Sequence, residues 1–351
     1  MITNVVKIFL PSIIAFVTGI LITPIISHYL YTYQMWKKSG VAKALTGEEA
    51  TITRSLHKDE ERKTPRMGGI VVWGSALLTI LIVFIISKLL PTSETIKLSF
   101  LSRNQTWLPL FTLVFTSLVG LIDDYLVTRE AGSYVGGGLS LKKRLLAILL
   151  VSIIGAWWFY SKLEVSSIII PFFGELNLGV LFIPTFIVFM IGIYSGGIID
   201  GIDGLAGGIF SVMFASYAFL AFHNGQIDLA AFCMVVVGGL LAFLWFNIPP
   251  ARFYLSETGT MGLTTTLVVV AFLTKSVGVL PIIAFPLIAT SASSIIQVVS
   301  KKLRHGKKVF LVAPLHNHFQ KLGWPAYKVT MRYWILSVFF AVAGIIIALI
   351  G

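Results

Sequence analysis

Cysteine is almost absent from these 351 residues: Cys233 stands alone in an apolar run, which excludes an internal disulfide and a cysteine-based metal cluster and reads as inert packing. Charge is scarce as well. Asp, Glu, Lys and Arg make up 12% of the chain, against about 25% in soluble domains. With 56% hydrophobic side chains and a mean hydropathy of +0.90, no water-facing surface for two soluble domains can be drawn from the remainder. A cleavable leader is not expected either. One lysine, Lys7, precedes an apolar stretch to about Ile26 that is too long for a signal h-region and has no small-x-small site, so it reads as a retained first span.

What is present is apolar sequence in spanning lengths. A membrane helix takes about 20 residues, and runs of that order occur at about 5–31, 67–90, 106–124, 143–162, 178–199, 203–223, 228–247, 259–277, 279–300 and 329–350. The expected fold is therefore an all-α integral membrane protein of about ten transmembrane helices, one domain over 1–351. The stretch from Val165 to Phe173 is apolar but short and ends at Gly174, so it reads as an interfacial hairpin.

An even number of spans puts both termini on one side, and the basic residues choose which. Of the 27, 21 fall in the loops after spans one, three, seven and nine, at about 32–66, 125–142, 248–258 and 301–328, or at their edges at Lys143, Arg144 and Arg332. That side is read as cytoplasmic, together with the short 200–203 turn, and both termini as extracytoplasmic. The net charge of +12 is then largely topology and anionic headgroups, and nucleic acid is not an expected partner.

Acidic residues near spans are costly and usually functional. Asp123 and Asp124 are expected to end span three, Asp200 and Asp203 to join spans five and six, and Glu257 to precede span eight, all at the cytoplasmic boundary. Five carboxylates at one depth repel one another unless cations or a ligand compensate. A hard divalent cation on oxygen ligands is the simplest compensator. Each has a plainer reading: a solvated Asp pair, an Asp-Gly turn, a polar cap at Ser256–Thr260. Two basic clusters share this side. One is Lys63-Thr64-Pro65-Arg66-Met67-Gly68-Gly69. The other is Pro314-Leu315-His316-Asn317-His318-Phe319, whose histidines suit a phosphate contact better than zinc, since further zinc donors are not nearby.

Thr64-Pro65-Arg66-Met67-Gly68-Gly69, Ile122-Asp123-Asp124-Tyr125, Asp200-Gly201-Ile202-Asp203-Gly204-Leu205-Ala206, Trp245-Phe246-Asn247 and Pro314–Phe319, in this order and spacing, resemble the phospho-N-acetylmuramoyl-pentapeptide transferase family. The His-rich segment followed by Gly323-Trp324-Pro325 points to this branch of the polyprenyl-phosphate N-acetylhexosamine-1-phosphate transferases. The resemblance implies transfer of phospho-MurNAc-pentapeptide from UDP-MurNAc-pentapeptide to undecaprenyl phosphate, releasing UMP and forming lipid I, with Mg2+, in the bacterial cytoplasmic membrane. It implies catalytic roles for Asp123, Asp124, Glu257, His316 and His318. Substrate contacts are implied at Asp200, Asp203, Lys63, Lys142 and Arg144, with Tyr254 stacking on uracil. Mg2+ ligation falls to Glu257 with Asp200 or Asp203.

Four positions depart from the family pattern: Glu257, Gly197, Asn317 and Thr290 stand where Asp, Asn, His and Glu are usual. Glu257 keeps the charge but reaches one methylene further, which alters the spacing of a site meant to hold Mg2+ at about 2.1 Å. A sister transferase using UDP-GlcNAc, a transporter and an inactive lipid-binding paralogue stay open. A transporter's ionisable groups should lie near the bilayer midplane rather than at one face. A second copy of the chain is carried as a candidate partner.

Overall fold

A computed structural model describes residues 2–37, 63–102, 104–132 and 137–351, so the cations and acids expected between 38 and 62, and Arg103, lie outside the described residues. The helices in chain order are α1 (Ile2–Thr32), α2 (Gly69–Leu89), α3 (Ser93–Leu98), α4 (Trp107–Arg129), α5 (Leu141–Trp157), α6 (Phe182–Tyr194), α7 (Leu205–His223), α8 (Ile227–Asn247), α9 (Ser256–Leu273), α10 (Leu280–Ile283), α11 (Phe285–Leu303), α12 (Leu315–Lys321) and α13 (Ala326–Ile350). Between α5 and α6 lies an antiparallel hairpin, β1 (Ser167–Ile170) on β2 (Gly174–Asn177), where the sequence calls for one.

Among the described residues nine helical segments are long and apolar enough to cross a bilayer, and a tenth if the bent pair Val277–Ile283 and Phe285–Leu303 counts as one. The chain is a multi-pass membrane protein. The bent pair corrects the ninth expected span, which turns by 71° instead of running straight. Pro281 and Pro286 account for the break: each lies in the first turn of its helix, the position that tolerates a residue lacking an N–H.

Burial follows from the bilayer as solvent. Helices α7, α8 and α9 are mostly enclosed, whereas α1 and α13 leave large side chains such as Leu21, Ile335 and Phe339 exposed. Helix α11 is inverted relative to a soluble helix. Thr290, Ser293, Gln297 and Ser300 are buried while Ile295, Ile296, Val299 and Leu303 face outward.

Small residues set the closest approaches. A Cβ at Gly120 of α4 would lie 2.1 Å from the Glu257 carbonyl oxygen, and one at Gly262 of α9 would lie 2.1 Å from Ser117 Oγ. Backbones packed this closely exchange dispersion contacts and hydrogen bonds that lipid cannot offer. One such bond joins Thr116 and Thr265 hydroxyls at 2.9 Å.

The two ends of the bundle sort the polar groups. Lys7 pairs with Asp228 at 2.6 Å, the Gln226 amide donates to Leu273 O, and the Phe172 N–H donates to Gly351 O. Both termini therefore share one end, opposite the expected site residues.

Candidate functional site

Helix α4 runs through Asp123 and Asp124 to Arg129 and closes on Glu130 in the left-handed region, so the acid pair lies inside the helix rather than ending it. Its side chains do not compete for their own helix backbone, because other segments supply their partners. Asp124 Oδ2 accepts from the Thr258 N–H at 2.9 Å and the Thr258 hydroxyl at 2.6 Å. Its Oδ1 accepts from Arg66 Nε at 2.9 Å. Asp123 Oδ1 accepts from the Leu139 N–H at 2.6 Å and lies 3.6 Å from Arg144 Nε. Gly120 is one turn before Asp124, and the contact of its backbone with Glu257 brings that turn of α4 onto the first turn of α9.

Glu257 sits in that first turn, not before it, and its Oε1 accepts from Arg144 Nη1 at 2.6 Å. Arg144 is brought in by α5, whose N-terminus is capped by Ser140 Oγ accepting from the Lys143 N–H. Arg144 Nε also donates to Leu139 O at 3.2 Å, and its guanidinium lies beside the Tyr194 hydroxyl at the end of α6. Tyr194 and Thr258 were missed by sequence reasoning. Thr258 is at least adjacent to Glu257, whereas Tyr194 carries no motif.

Asp200 and Asp203 occupy a turn. Both brace the segment leading into α9: Asp200 Oδ2 accepts from the Ser256 N–H at 2.6 Å and Asp203 Oδ2 from the Ala251 N–H at 2.9 Å. Gly204, at φ +74°, donates its N–H to Asn247 Oδ1 at 2.9 Å, and Asn247 Nδ2 donates to Phe253 O. Burial pushes the Asp200 carboxyl up to about 6, although the Ser256 N–H and Arg66 favour its anion.

The Thr64–Gly69 segment is stitched to the same loop. The Tyr254 N–H donates to Pro65 O, and the Gly68 and Gly69 N–H groups donate to Tyr254 O and Leu255 O. Arg66 thereby comes within electrostatic reach of Asp124, Glu257 and Asp200. Arg66 and Arg144, with backbone N–H groups, answer the repulsion expected among the five carboxylates. Lys63 and Lys142 are exposed. Lys37 is half-buried, and burial and neighbouring Arg66 lower its pKa.

The His segment is the short helix α12 rather than a loop. Gln297 of α11 ties down the approach to it, accepting from the Val309 and Phe310 N–H groups and donating to Phe310 O. His316 is buried against Gly201, where an added Cβ would lie 2.4 Å from its Nε2. His318 accepts the Leu311 N–H at its Nδ1 and packs on Phe310. His316 thus joins the Asp200 turn, while His318 secures its own segment.

Among the described residues no three His, Cys, Asp or Glu side chains are grouped so as to hold a metal ion. The donors are hard carboxylate oxygens of the kind Mg2+ takes, and Mg2+ commonly uses one or two carboxylates with phosphates and water. The set therefore fits a cation shared with a phosphate ligand.

Residues 106–275 match the model of Glycosyl transferase family 4. The phospho-N-acetylmuramoyl-pentapeptide-transferase of Geobacillus sp. (strain WCH70) is 32% identical over 340 residues, covering 95% of this chain and 97% of that protein. That of Anoxybacillus flavithermus is 33% identical over 83% of this chain and 86% of its own length. The Rickettsia canadensis protein is 31% identical over 95% and 89%. Identity of this order along nearly the whole chain, with the quoted motifs drawn together at one end of a helical membrane bundle, makes the chain a member of the phospho-N-acetylmuramoyl-pentapeptide transferase family.

Proposed function

We propose that the chain transfers phospho-MurNAc-pentapeptide from UDP-MurNAc-pentapeptide to undecaprenyl phosphate, releasing UMP and forming lipid I. The observation that carries this is the joining of Asp123, Asp124, Glu257, Arg66 and Arg144 at one end of the bundle, beside the Asp200 turn. A lipid-phosphate oxygen forms a bond to the sugar-bearing phosphorus. The bond from that phosphorus to the bridging oxygen breaks, and UMP leaves with the electron pair.

Such a transfer needs positioning and charge stabilisation more than covalent chemistry. Arg144 and His316 would hold the diphosphate, with Lys63 and Lys142 at the rim and His318 fixing α12. Tyr254 would stack on uracil beside Asp200 and Asp203. Mg2+, held by Glu257 with Asp200 or Asp203, would neutralise diphosphate charge. Asp124, engaged through both oxygens, positions α4 on α9. Asp123 is engaged only through Oδ1 among the described residues, which suits it to orient the acceptor phosphate or take its residual proton. That phosphate, with a second pKa of about 6, is mostly dianionic at neutral pH.

An apolar groove supports a polyprenyl acceptor. A cavity of about 300 Å³ lies between α6 and the bent α10–α11 pair, lined by Val188, Phe189, Ile193, Pro281, Ile288 and Ile295, and its Ser195 begins the turn that ends at Asp200. We assign the site end to the cytoplasm of a bacterial cytoplasmic membrane, both termini to the outside, and the chain to a single transferase domain.

The test is UMP release by the purified protein in detergent. Release is expected from UDP-MurNAc-pentapeptide only with both undecaprenyl phosphate and Mg2+; release from UDP-GlcNAc instead would identify the sister transferase. Release from neither donor sinks the transferase reading. Glu257→Gln keeps the shape but loses the charge a hard cation needs, and should lower Mg2+-dependent turnover by about a hundredfold or more. Glu257→Asp should retain some activity.

A further inference from the structure

We propose that Arg144 is a resident counter-ion: it occupies the cation position beside Glu257 until a divalent cation enters together with a nucleoside diphosphate, so that the protein alone holds divalent cations weakly. The proposal rests on the transferase reading of the same site and says in what order that site fills.

Three observations carry it. Arg144 Nη1 lies 2.6 Å from Glu257 Oε1, inside the space that a cation on that oxygen would need. Two positive charges on one carboxylate oxygen at such separations repel strongly. Arg144 also has anchors that do not involve Glu257: its Nε donates to Leu139 O at 3.2 Å and faces Asp123 Oδ1 at 3.6 Å, and the Tyr194 hydroxyl lies beside the guanidinium. Nη1 can leave Glu257 while the rest of the group stays in place. Finally, the carboxylates within reach are already engaged: Asp124 by Arg66 and Thr258, Asp200 by the Ser256 N–H.

Energetics then set the order. A cation arriving alone must displace Arg144 from Glu257 and leave a guanidinium, only 16% exposed, without its strongest anionic partner. A cation arriving with a diphosphate supplies that partner, since guanidinium and phosphate oxygens form charge-assisted hydrogen bonds. Cation and diphosphate therefore favour each other's binding, with a reciprocal coupling of about tenfold or more.

Mn2+ binding to the purified full-length chain in detergent, followed by electron paramagnetic resonance with and without UDP, tests this. The unsubstituted protein should bind Mn2+ weakly alone and about tenfold or more tightly with UDP. Arg144→Met, which removes the counter-ion, should tighten Mn2+ binding without UDP by about tenfold and abolish most of the coupling. Tyr194→Phe keeps every charge and removes only one neighbour that holds the guanidinium once Nη1 has left Glu257. Displacement then costs more, so this variant should bind Mn2+ without UDP more weakly by a small factor and show a larger coupling, and it keeps the proposal testable if Arg144→Met does not fold. Equal Mn2+ affinity with and without UDP in the unsubstituted protein overturns the proposal. So does unchanged coupling in both variants, or no Mn2+ binding even with UDP. Because Mn2+ and UDP binding needs neither sugar nor lipid, absent UMP release with the coupling intact counts against the transferase reading alone.

Discussion

Asp200 lies in a turn outside the spanning helices, and burial raises its carboxyl to about 6. Above that pH it is an anion accepting the Ser256 N–H; as the pH falls through about 6 it becomes neutral. Since the folded value lies above the ordinary carboxylate value, this group's contribution to stability is full below that ordinary value and declines as pH rises through about 6. Acid should therefore reduce function through Asp200 without unfolding the protein through it. UMP release is expected to fall about tenfold per pH unit below about 6. The acceptor phosphate titrates in the same range, so Asp200→Asn separates the two. An acid limb missing from the Asn variant belongs to Asp200, and an unchanged limb belongs to the lipid. The Asp-Gly-x-Asp pattern was visible in the sequence, but its two carboxylates bracing 251–256 was not, because those partners lie about 50 residues away.

At the scale of elements, the site depends on how closely α4 and α9 approach. A methyl group at Gly120 would meet the Glu257 carbonyl oxygen at 2.1 Å, a backbone atom that cannot rotate aside. Gly120→Ala should cost about 1–3 kcal/mol as an overpacked contact. It should lower the melting temperature in detergent and reduce turnover by parting Asp124 from Thr258. Gly192→Ala, where nothing lies within 4 Å of the added Cβ, is the control and should not destabilise. A Gly120 variant as stable and active as the parent would show that the contact does not hold the site. Hydropathy located both helices yet stopped α4 at Asp124, because windows of apolar residues treat carboxylates as ends. The helix continues to Arg129 since Arg66, Leu139 and Thr258 satisfy those carboxylates from outside.

For the whole molecule, the assignment of sides is open to direct measurement. Cys233 is fully buried, so a new surface cysteine is read against a silent background. Lys308→Cys, at the site end, should react with a membrane-impermeant maleimide only in inside-out vesicles, and Glu175→Cys, on the hairpin, only in intact cells with the outer face accessible. The opposite pattern would reverse the orientation inferred from the basic loops.

Composition and hydropathy by themselves determined the membrane class, the order of apolar segments, the hairpin and the gathering of five carboxylates at one end. They could do so because a bilayer demands long apolar helices and places polar residues at their ends. Only the tertiary structure decided how those charges are balanced. Arg66 reaches Asp124 from 58 positions away, Arg144 reaches Glu257 from 113, and Tyr194 meets Arg144 from a third helix. Pairings at such separations arise where packed helices meet, which is a property of their crossing geometry and not of any local pattern. The same holds for the bend between α10 and α11. Its prolines are plain in the sequence, but the 71° angle between the two halves is not.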